Sequence, residues 1–292
     1  MPINFIKFHG FGNDYIVIEQ KDLIEVAPTA EAAALGEFAR RICNRHYGAG
    51  ADGIAVVSAA ADRSADFHVR IFNPDGSEAG LSGNGTRCAA SYLYYQKLWD
   101  AKQLRLSTRS GVKLYTLLDN AEAGRYLFDS ELGQPKFDSA SVPMLTEPPL
   151  SKIIGYPLEV DGTTVEVTAL QMGNPNCCIL VDDFESLDWR TIGKKIERHP
   201  QFPDRTNVVF IRVDDRSTIS LRIWERGVGE TEASGSCSCA AAVAAMVNEK
   251  IERQVRVLMQ GGEAKIQWRA DGEVVITGSA EVIYAGKWLG QL

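Results

Sequence analysis

The sequence predicts a mixed α/β protein made of two like halves, and three observations support this. Short strand-like runs alternate with helical ones along the chain. Two Ala-rich helical segments, residues 86–98 and 239–248, each follow a strand and a polar Ser-Gly loop. Finally, Arg70-Ile71-Phe72, Glu78 and Ser82-Gly83 recur as Arg222-Ile223-Trp224, Glu230 and Ser234-Gly235, each pair 152 residues apart. An ungapped match embedded in one repeated order of elements indicates duplication. With 292 residues and 45% hydrophobic content, the chain has enough apolar material for two cores.

In the first half, residues 4–8 and 15–19 read as strands around a glycine turn, Gly10-Phe11-Gly12-Asn13. Residues 29–45 place Leu35, Phe38, Ala39 and Ile42 at helical spacing. Residues 54–57 and 67–72 are strands, the second ending at the turn Asn73-Pro74-Asp75-Gly76. Residues 86–98 are small or apolar on several faces, as a buried helix requires. Strands resume through 104–118 and 126–132, and either the Pro-rich stretch 142–157 connects the halves or the boundary lies earlier.

The second half repeats the order. A strand at 165–170 leads to a turn at Gly173-Asn174-Pro175, then an amphipathic helix at 187–198. Strands at 207–213 and 218–224 precede the second buried helix, 239–248. Strands at 255–259, 264–268 and 274–276 follow, with a last one at 280–284.

Composition removes several function classes. The formal net charge is -7 and no long run of Lys or Arg occurs, which argues against nucleic acid or an anionic membrane surface as partner. No segment is apolar for long enough to span a bilayer, and the opening Met1-Pro2-Ile3-Asn4-Phe5-Ile6-Lys7 is unlike a signal peptide. Six Cys in a chain of this length do not form a secreted disulfide pattern. A cytoplasmic protein with reduced thiols is expected.

The chemistry concentrates in the two Ser-Gly loops. Each opens a helix, where free N–H groups and the positive dipole end make a site for an anion such as a carboxylate. Ser82 and Ser234 also suit plain helix capping. Their recurrence favours a functional pair, and two like halves commonly place one small ligand between them.

Along the chain, His9-Gly10-Phe11-Gly12-Asn13-Asp14, Gly48-Ala49-Gly50-Ala51-Asp52-Gly53, Phe72-Asn73-Pro74-Asp75-Gly76-Ser77 and Ser82-Gly83-Asn84-Gly85-Thr86-Arg87-Cys88 occur in order. They are followed by Met172-Gly173-Asn174-Pro175, Asn207-Val208 and Trp224-Glu225-Arg226-Gly227-Val228-Gly229-Glu230-Thr231. This series resembles the signatures of the diaminopimelate epimerase family. The resemblance implies two pseudo-symmetric domains, residues 1–131 with about 278–292 and residues 132–277, each a curved, largely antiparallel sheet around a central helix. It also implies a cofactor-independent enzyme inverting one α-carbon of diaminopimelate, for lysine and peptidoglycan precursors, in a cleft between the domains. It allows a homodimer.

On the matching positions, Asn13, Asn73, Asn84, Asn174, Asn207, Glu225 and Arg226 would hold the amino and carboxylate groups, together with Gly83, Gly235 and Ser236 at the loops. Arg can fork onto a carboxylate, Glu can pair an ammonium, and amides serve either. Taken singly, each Asn also suits a turn and the Glu225-Arg226 pair a solvated surface. The sequence departs from the resemblance at the proton-transfer positions: the family carries cysteine where this chain has Ser82 and Ser234. A thiol near neutral pKa suits that role, whereas a serine hydroxyl is a far weaker acid. Asn176 stands where the family usually has His, and Cys237 where it usually has Gly, which favours natural divergence over deliberate substitution. An amino-acid binder without turnover, and an epimerase for another amino acid, both stay open.

Other classes fare worse. Gly80-Leu81-Ser82-Gly83-Asn84 misses the last glycine of a hydrolase nucleophile elbow. Gly48 to Gly53 fits a dinucleotide fingerprint, but a helix precedes it and a strand follows, the reverse of what the motif needs. Cys177-Cys178 and Cys237-Ser238-Cys239 match no zinc spacing, and no metal is expected. Cys88 and Cys239 read as small core residues, and Cys237 as a distant candidate for a displaced thiol.

Overall fold

The computed structural model describes residues 2–25, 27–29, 31–80, 82–120 and 124–290. The chain divides into two compact units, Met1–Ser130 with Gly278–Leu292, and Glu131–Thr277. The Pro-rich stretch 142–157 lies inside the second unit and does not link the two. The chain leaves the first unit within one strand, residues 125–133, so no loop composition marks the boundary.

The first unit contains strands β1 (Ile3–Gly10) and β2 (Asn13–Glu19), helix α1 (Ala32–Ile42), and strands β3 (Gly53–Ala59), β4 (Phe67–Phe72) and β5 (Glu78–Ala79). Helix α2 (Gly83–Tyr95) and strands β6 (Gln103–Thr108), β7 (Gly111–Asp119) and β8 (Arg125–Gly133) follow. The second contains β9 (Ile153–Val160), β10 (Thr163–Met172), β11 (Asn174–Leu180), helix α3 (Trp189–Glu197), β12 (Asn207–Asp215), β13 (Thr218–Glu225) and β14 (Gly229–Thr231). It continues through helix α4 (Gly235–Val247), β15 (Gln254–Met259) and β16 (Gly262–Trp268) into β17 (Val274–Trp288), whose later residues belong to the first unit.

Sheet pairing is the same in both units. In the first, β1 pairs antiparallel with β17 and β2, β2 runs parallel to β3, β3 antiparallel to β4, and β4 parallel to β6. In the second, β10 pairs antiparallel with β9 and β11, β11 runs parallel to β12, β12 antiparallel to β13, and β13 parallel to β15. The duplicated motif keeps its register. Phe72 faces Glu78 and Ile71 faces Ala79, while Trp224 faces Glu230 and Ile223 faces Thr231. Helices α2 and α4 are both 13 residues long and start at the two repeated glycines.

Alternation along the strands sorts the cores. Tyr15 and Val17 of β2 pack with Cys88, Ala89 and Leu93 of α2, while Ile16 and Ile18 turn to Leu35, Phe38 and Ile42 of α1. α4 is buried along nearly its whole length, because Ala240, Ala241, Ala242 and Ala244 leave no bulk on any face. In the same unit, Val208 and Phe210 of β12 pack with Trp189 and Ile196 of α3.

Three sequence expectations need correction. Both buried helices begin earlier than expected, at Gly83 and Gly235, because burial of the first turn outweighs the low helix propensity of Gly, Asn and Ser. The expected turn Gly173-Asn174-Pro175 shrinks to Gly173, at φ +74°, and β11 starts at once. The two final strands are one, β17, running straight through Gly278. A Cβ at Gly278 would stand 2.7 Å from the Phe11 ring, so this glycine allows close packing and is no break.

Candidate active site

Ser82 is the N-cap of α2, with extended backbone (φ -129°, ψ 118°), and its Oγ accepts the Gly85 N–H at 3.0 Å. It therefore does the capping that its residue type suggests. Its second contact is the Tyr15 hydroxyl, 2.9 Å away. Ser234 is the N-cap of α4 with similar backbone (φ -147°, ψ 124°), but its side chain makes no cap bond. Its hydroxyl lies 3.5 Å from that of Ser236 and is near enough to the Glu225 carboxyl to favour the charged form of that group. The next turn repeats as well: Thr86 Oγ1 donates to Ser82 O at 2.7 Å, and Ser238 Oγ donates to Ser234 O at 2.6 Å.

In the first unit, an amide chain runs behind Ser82. Arg87 Nη2 donates to Asn84 Oδ1 at 2.5 Å, and Asn84 Nδ2 donates to Asn13 Oδ1 at 3.2 Å. Asn13 Nδ2 in turn donates to Asp52 Oδ2 at 2.8 Å. The Arg87 guanidinium is almost wholly buried, donates to Ser279 O at 3.0 Å, and stacks 4.8 Å over the Phe11 ring. Asp52 belongs to an ion cluster with Arg45, and Arg45 with Asp14, which also holds Lys7. Burial works to raise the Asp14 carboxyl, but hydrogen bonds from Arg45 and Lys7 prevail and hold it at about 2. A Cβ at Gly83 would meet nothing within 4 Å, so the first turn of α2 is open on that side. Asn73 stays within its own turn, its Nδ2 donating to Ser77 Oγ at 2.9 Å.

In the second unit, the Arg226 backbone N–H donates to Asn207 Oδ1 at 2.9 Å, and Asn207 Nδ2 donates to Asn176 Oδ1 at 3.1 Å. The exposed Arg226 guanidinium reaches Asp204 O at 3.1 Å and Asn174 Oδ1 at 3.4 Å. Asn174, Asn207 and Arg226 thus form one group. Buried Glu197 fixes the turn from below, accepting Trp224 Nε1 and Gly227 N–H, each at 3.0 Å.

Glu225 Oε1 accepts the Thr231 hydroxyl at 2.8 Å. Burial pushes the Glu225 carboxyl up, while hydrogen bonds from Thr231 and Ser234 pull the other way. Glu225 is thus a titratable carboxyl close to the Ser234 hydroxyl. Cys237 is fully buried, and burial followed by the Glu225 charge pushes its thiol well above the ordinary value. It is therefore a core thiol and no substitute base.

Sequence reasoning missed Tyr15, Asp52, Arg87 and Glu197. Asp52 and Arg87 lay inside quoted motifs, and could have drawn attention as charges among apolar neighbours. Tyr15 and Glu197 gave no signal, since one sits in a strand and the other in an amphipathic helix.

The diaminopimelate epimerase family model matches residues 5–137 and 168–283. A diaminopimelate epimerase of Pelotomaculum thermopropionicum is 40% identical over 290 residues, 98% of this chain and 99% of that protein. One of Desulfitobacterium hafniense is 39% identical over 287 residues, covering 97% of each. Among solved structures, a phenazine biosynthesis protein of the PhzF family from Bacillus anthracis superposes with a TM-score of 0.67 at 16% identity, over 99% of this chain and 100% of its own. A hydroxyproline epimerase from Agrobacterium vitis gives 0.66 at 13% identity, over 98% and 92%. At those identities the solved structures establish the mixed α/β fold alone. With the family match and the relatives' near-complete coverage, the chain belongs to the diaminopimelate epimerase family.

Proposed function

We propose that this chain is a cofactor-independent amino-acid epimerase that inverts the α-carbon of LL- and meso-diaminopimelate, with Ser82 and Ser234 as the acid/base positions. The observation that carries it is the pair of serines at the N-cap positions of two buried helices of equal length, each hydroxyl near an ionisable side chain. The relatives' names supply the substrate. Six free, buried thiols suit a reducing cytoplasm, where lysine and peptidoglycan precursors are made.

In this reading one hydroxyl takes the α-proton from one face while the other returns a proton to the opposite face. The electron pair left on the α-carbon delocalises into the α-carboxylate, which the helix N-termini at Gly83 and Gly235 stabilise. Asn13, Asn84, Asn174, Asn207 and Arg226 bind the polar ends of the substrate, and Glu225 draws the proton from Ser234. Serine in place of the family's cysteine makes a slower acid/base pair, because the hydroxyl must be deprotonated by its neighbour.

The second reading is an amino-acid binder without turnover, favoured by serine at both positions. Deuterium exchange separates the two. The protein is incubated with LL- and meso-diaminopimelate in deuterated water, and the α-proton signal is followed by NMR, with Ser82→Ala as control. Exchange that vanishes in Ser82→Ala supports the epimerase. Binding without exchange removes the catalytic claim and leaves the binder.

A further inference from the structure

We infer that Tyr15 is the positioning residue of Ser82, holding its hydroxyl in place and exchanging a proton with it, so the two serines are served by different groups: a phenol and a carboxyl. This rests on the epimerase reading above and deepens it.

The first support is geometric. Tyr15 is 5% exposed, and its Oη lies 2.9 Å from Ser82 Oγ. Two glycines form the slot for its ring. A Cβ at Gly53 would stand 2.7 Å from the ring edge, and one at Gly85 would stand 2.8 Å from it. Any side chain at either position would displace the ring, so the hydroxyl's location is set by backbone on both sides. Gly85 also supplies the N–H that Ser82 Oγ accepts. One residue therefore fixes both neighbours of the serine oxygen.

The second support is the internal symmetry. Tyr15 lies two residues after Asn13 and opposite Gly53 in a parallel pairing. Asn176 lies two residues after Asn174 and opposite Asn207 in the matching parallel pairing. The two positions are equivalent, yet their side chains differ in use. Asn176 donates to Asn174 O at 2.6 Å and accepts from Asn207, while the carboxyl near Ser234 is that of Glu225, from another strand. Among the described residues, the first unit uses this strand position to reach its serine, and in the second unit Asn176 bonds Asn174 and Asn207 instead.

The chemistry follows from acidity. An ordinary tyrosine ionises near pH ~10, far below an aliphatic hydroxyl, so the proton of the pair leaves more readily from the phenol. In the forward step, Ser82 Oγ takes the α-proton as its own proton passes to the Tyr15 phenolate. The carbanion and a neutral phenol result, and charge is conserved. In the reverse step, Ser82 gives its proton to the α-carbon and recovers one from the phenol, leaving phenolate. Tyr15 touches neither substrate nor the reacting carbon.

The test is Tyr15→Phe, which keeps the ring in its slot and removes only the hydroxyl. Exchange is measured on LL- and meso-diaminopimelate separately, with full pH profiles. The expected result is a fall of about 10²-fold in exchange for one stereoisomer, a much smaller change for the other, little change in KM, and loss of the alkaline ionisation from the profile. Equal effects on both stereoisomers, or an unchanged profile, would overturn the inference.

If the parent protein exchanges neither isomer, the epimerase reading fails by itself, and a second measurement decides the role of Tyr15. Ser82→Cys is prepared with and without Tyr15→Phe, and the pH dependence of alkylation of the introduced thiol is followed. A phenol donating to the thiolate lowers the thiol pKa by about one unit, a difference that Tyr15→Phe abolishes. The same pKa in both backgrounds overturns the inference.

Discussion

Asp14→Asn tests the ion cluster that supports Asn13. The Asp14 carboxylate is 7% exposed, stands 2.6 Å from Lys7 Nζ, and accepts Arg45 Nη2 at 2.9 Å and the Asp52 N–H at 2.9 Å. Asn keeps the shape and removes the charge. It leaves the 8% exposed Lys7 ammonium facing Gly50 O without its carboxylate, at a cost of about 3 kcal/mol at neutral pH. The pH dependence follows from the depressed pKa. Asp14 is held at about 2 in the folded chain, against an ordinary 3.8. The stability it contributes is therefore fully present above the ordinary value and is lost as pH falls through the folded value. A separation of about two units corresponds to roughly 2.5 kcal/mol. Urea denaturation followed by circular dichroism from pH 7 to pH 2 should show the parent losing that amount over the acid range. The variant should start lower and fall less steeply. A variant within about 0.5 kcal/mol of the parent at pH 7, with the same acid slope, would refute the reasoning.

Four further substitutions have defined outcomes. Glu225→Gln removes the raised carboxyl beside Ser234 and should lower exchange by about 10² to 10⁴-fold, abolishing an acid limb that lies above the usual glutamate range; an unchanged limb means that another group titrates. Gly85→Ala places a Cβ 2.8 Å from the Tyr15 ring and 3.0 Å from Ile71 Cδ1, and should destabilise by about 1–3 kcal/mol in thermal melts, whereas an unchanged Tm contradicts the tight slot. Cys237→Ala should leave exchange within about twofold of the parent, since the thiol is buried and protonated, and its loss would restore Cys237 as a base. Arg226→Lys should raise KM several-fold with a smaller effect on kcat, because a point charge replaces a fork held by Asp204 and Asn174; a pure kcat effect would count against a binding role.

Much of this organisation was legible in the sequence, because duplication is written into it. The repeated Arg, Glu and Ser-Gly positions fall at matching register in β4–β5 and β13–β14, and the two serines cap equal helices. The grouping of Asn174, Asn207 and Arg226 also follows from motifs already visible. What escaped depends on three dimensions. The start of β11 was hidden because Pro175 reads as a turn residue, although it pairs opposite Gln171. The Tyr15–Ser82 contact joins residues far apart in sequence through a slot made by two glycines. Glu197 looks like one more charge on an amphipathic helix, yet its carboxylate is buried beneath the Glu225-Arg226-Gly227 turn. Periodicity reports faces, and it does not report which polar atom meets which.

The discontinuous first unit bears on how the protein is made. The second unit, Glu131–Thr277, is one continuous stretch, and the opening residues of β17 complete its pairing with β16. The first unit needs the later residues of the same strand, where Trp288 faces Ile3 and Tyr284 faces Lys7. During synthesis, β1 waits beside β2 with one edge unpaired until the later residues of β17 have emerged. The inserted unit can mature first, and the first unit, which carries the Ser82 loop, completes its pairing last. A ribosome stalled late in the message would therefore release a chain with one finished half and one open-edged half, the form most prone to join its neighbours.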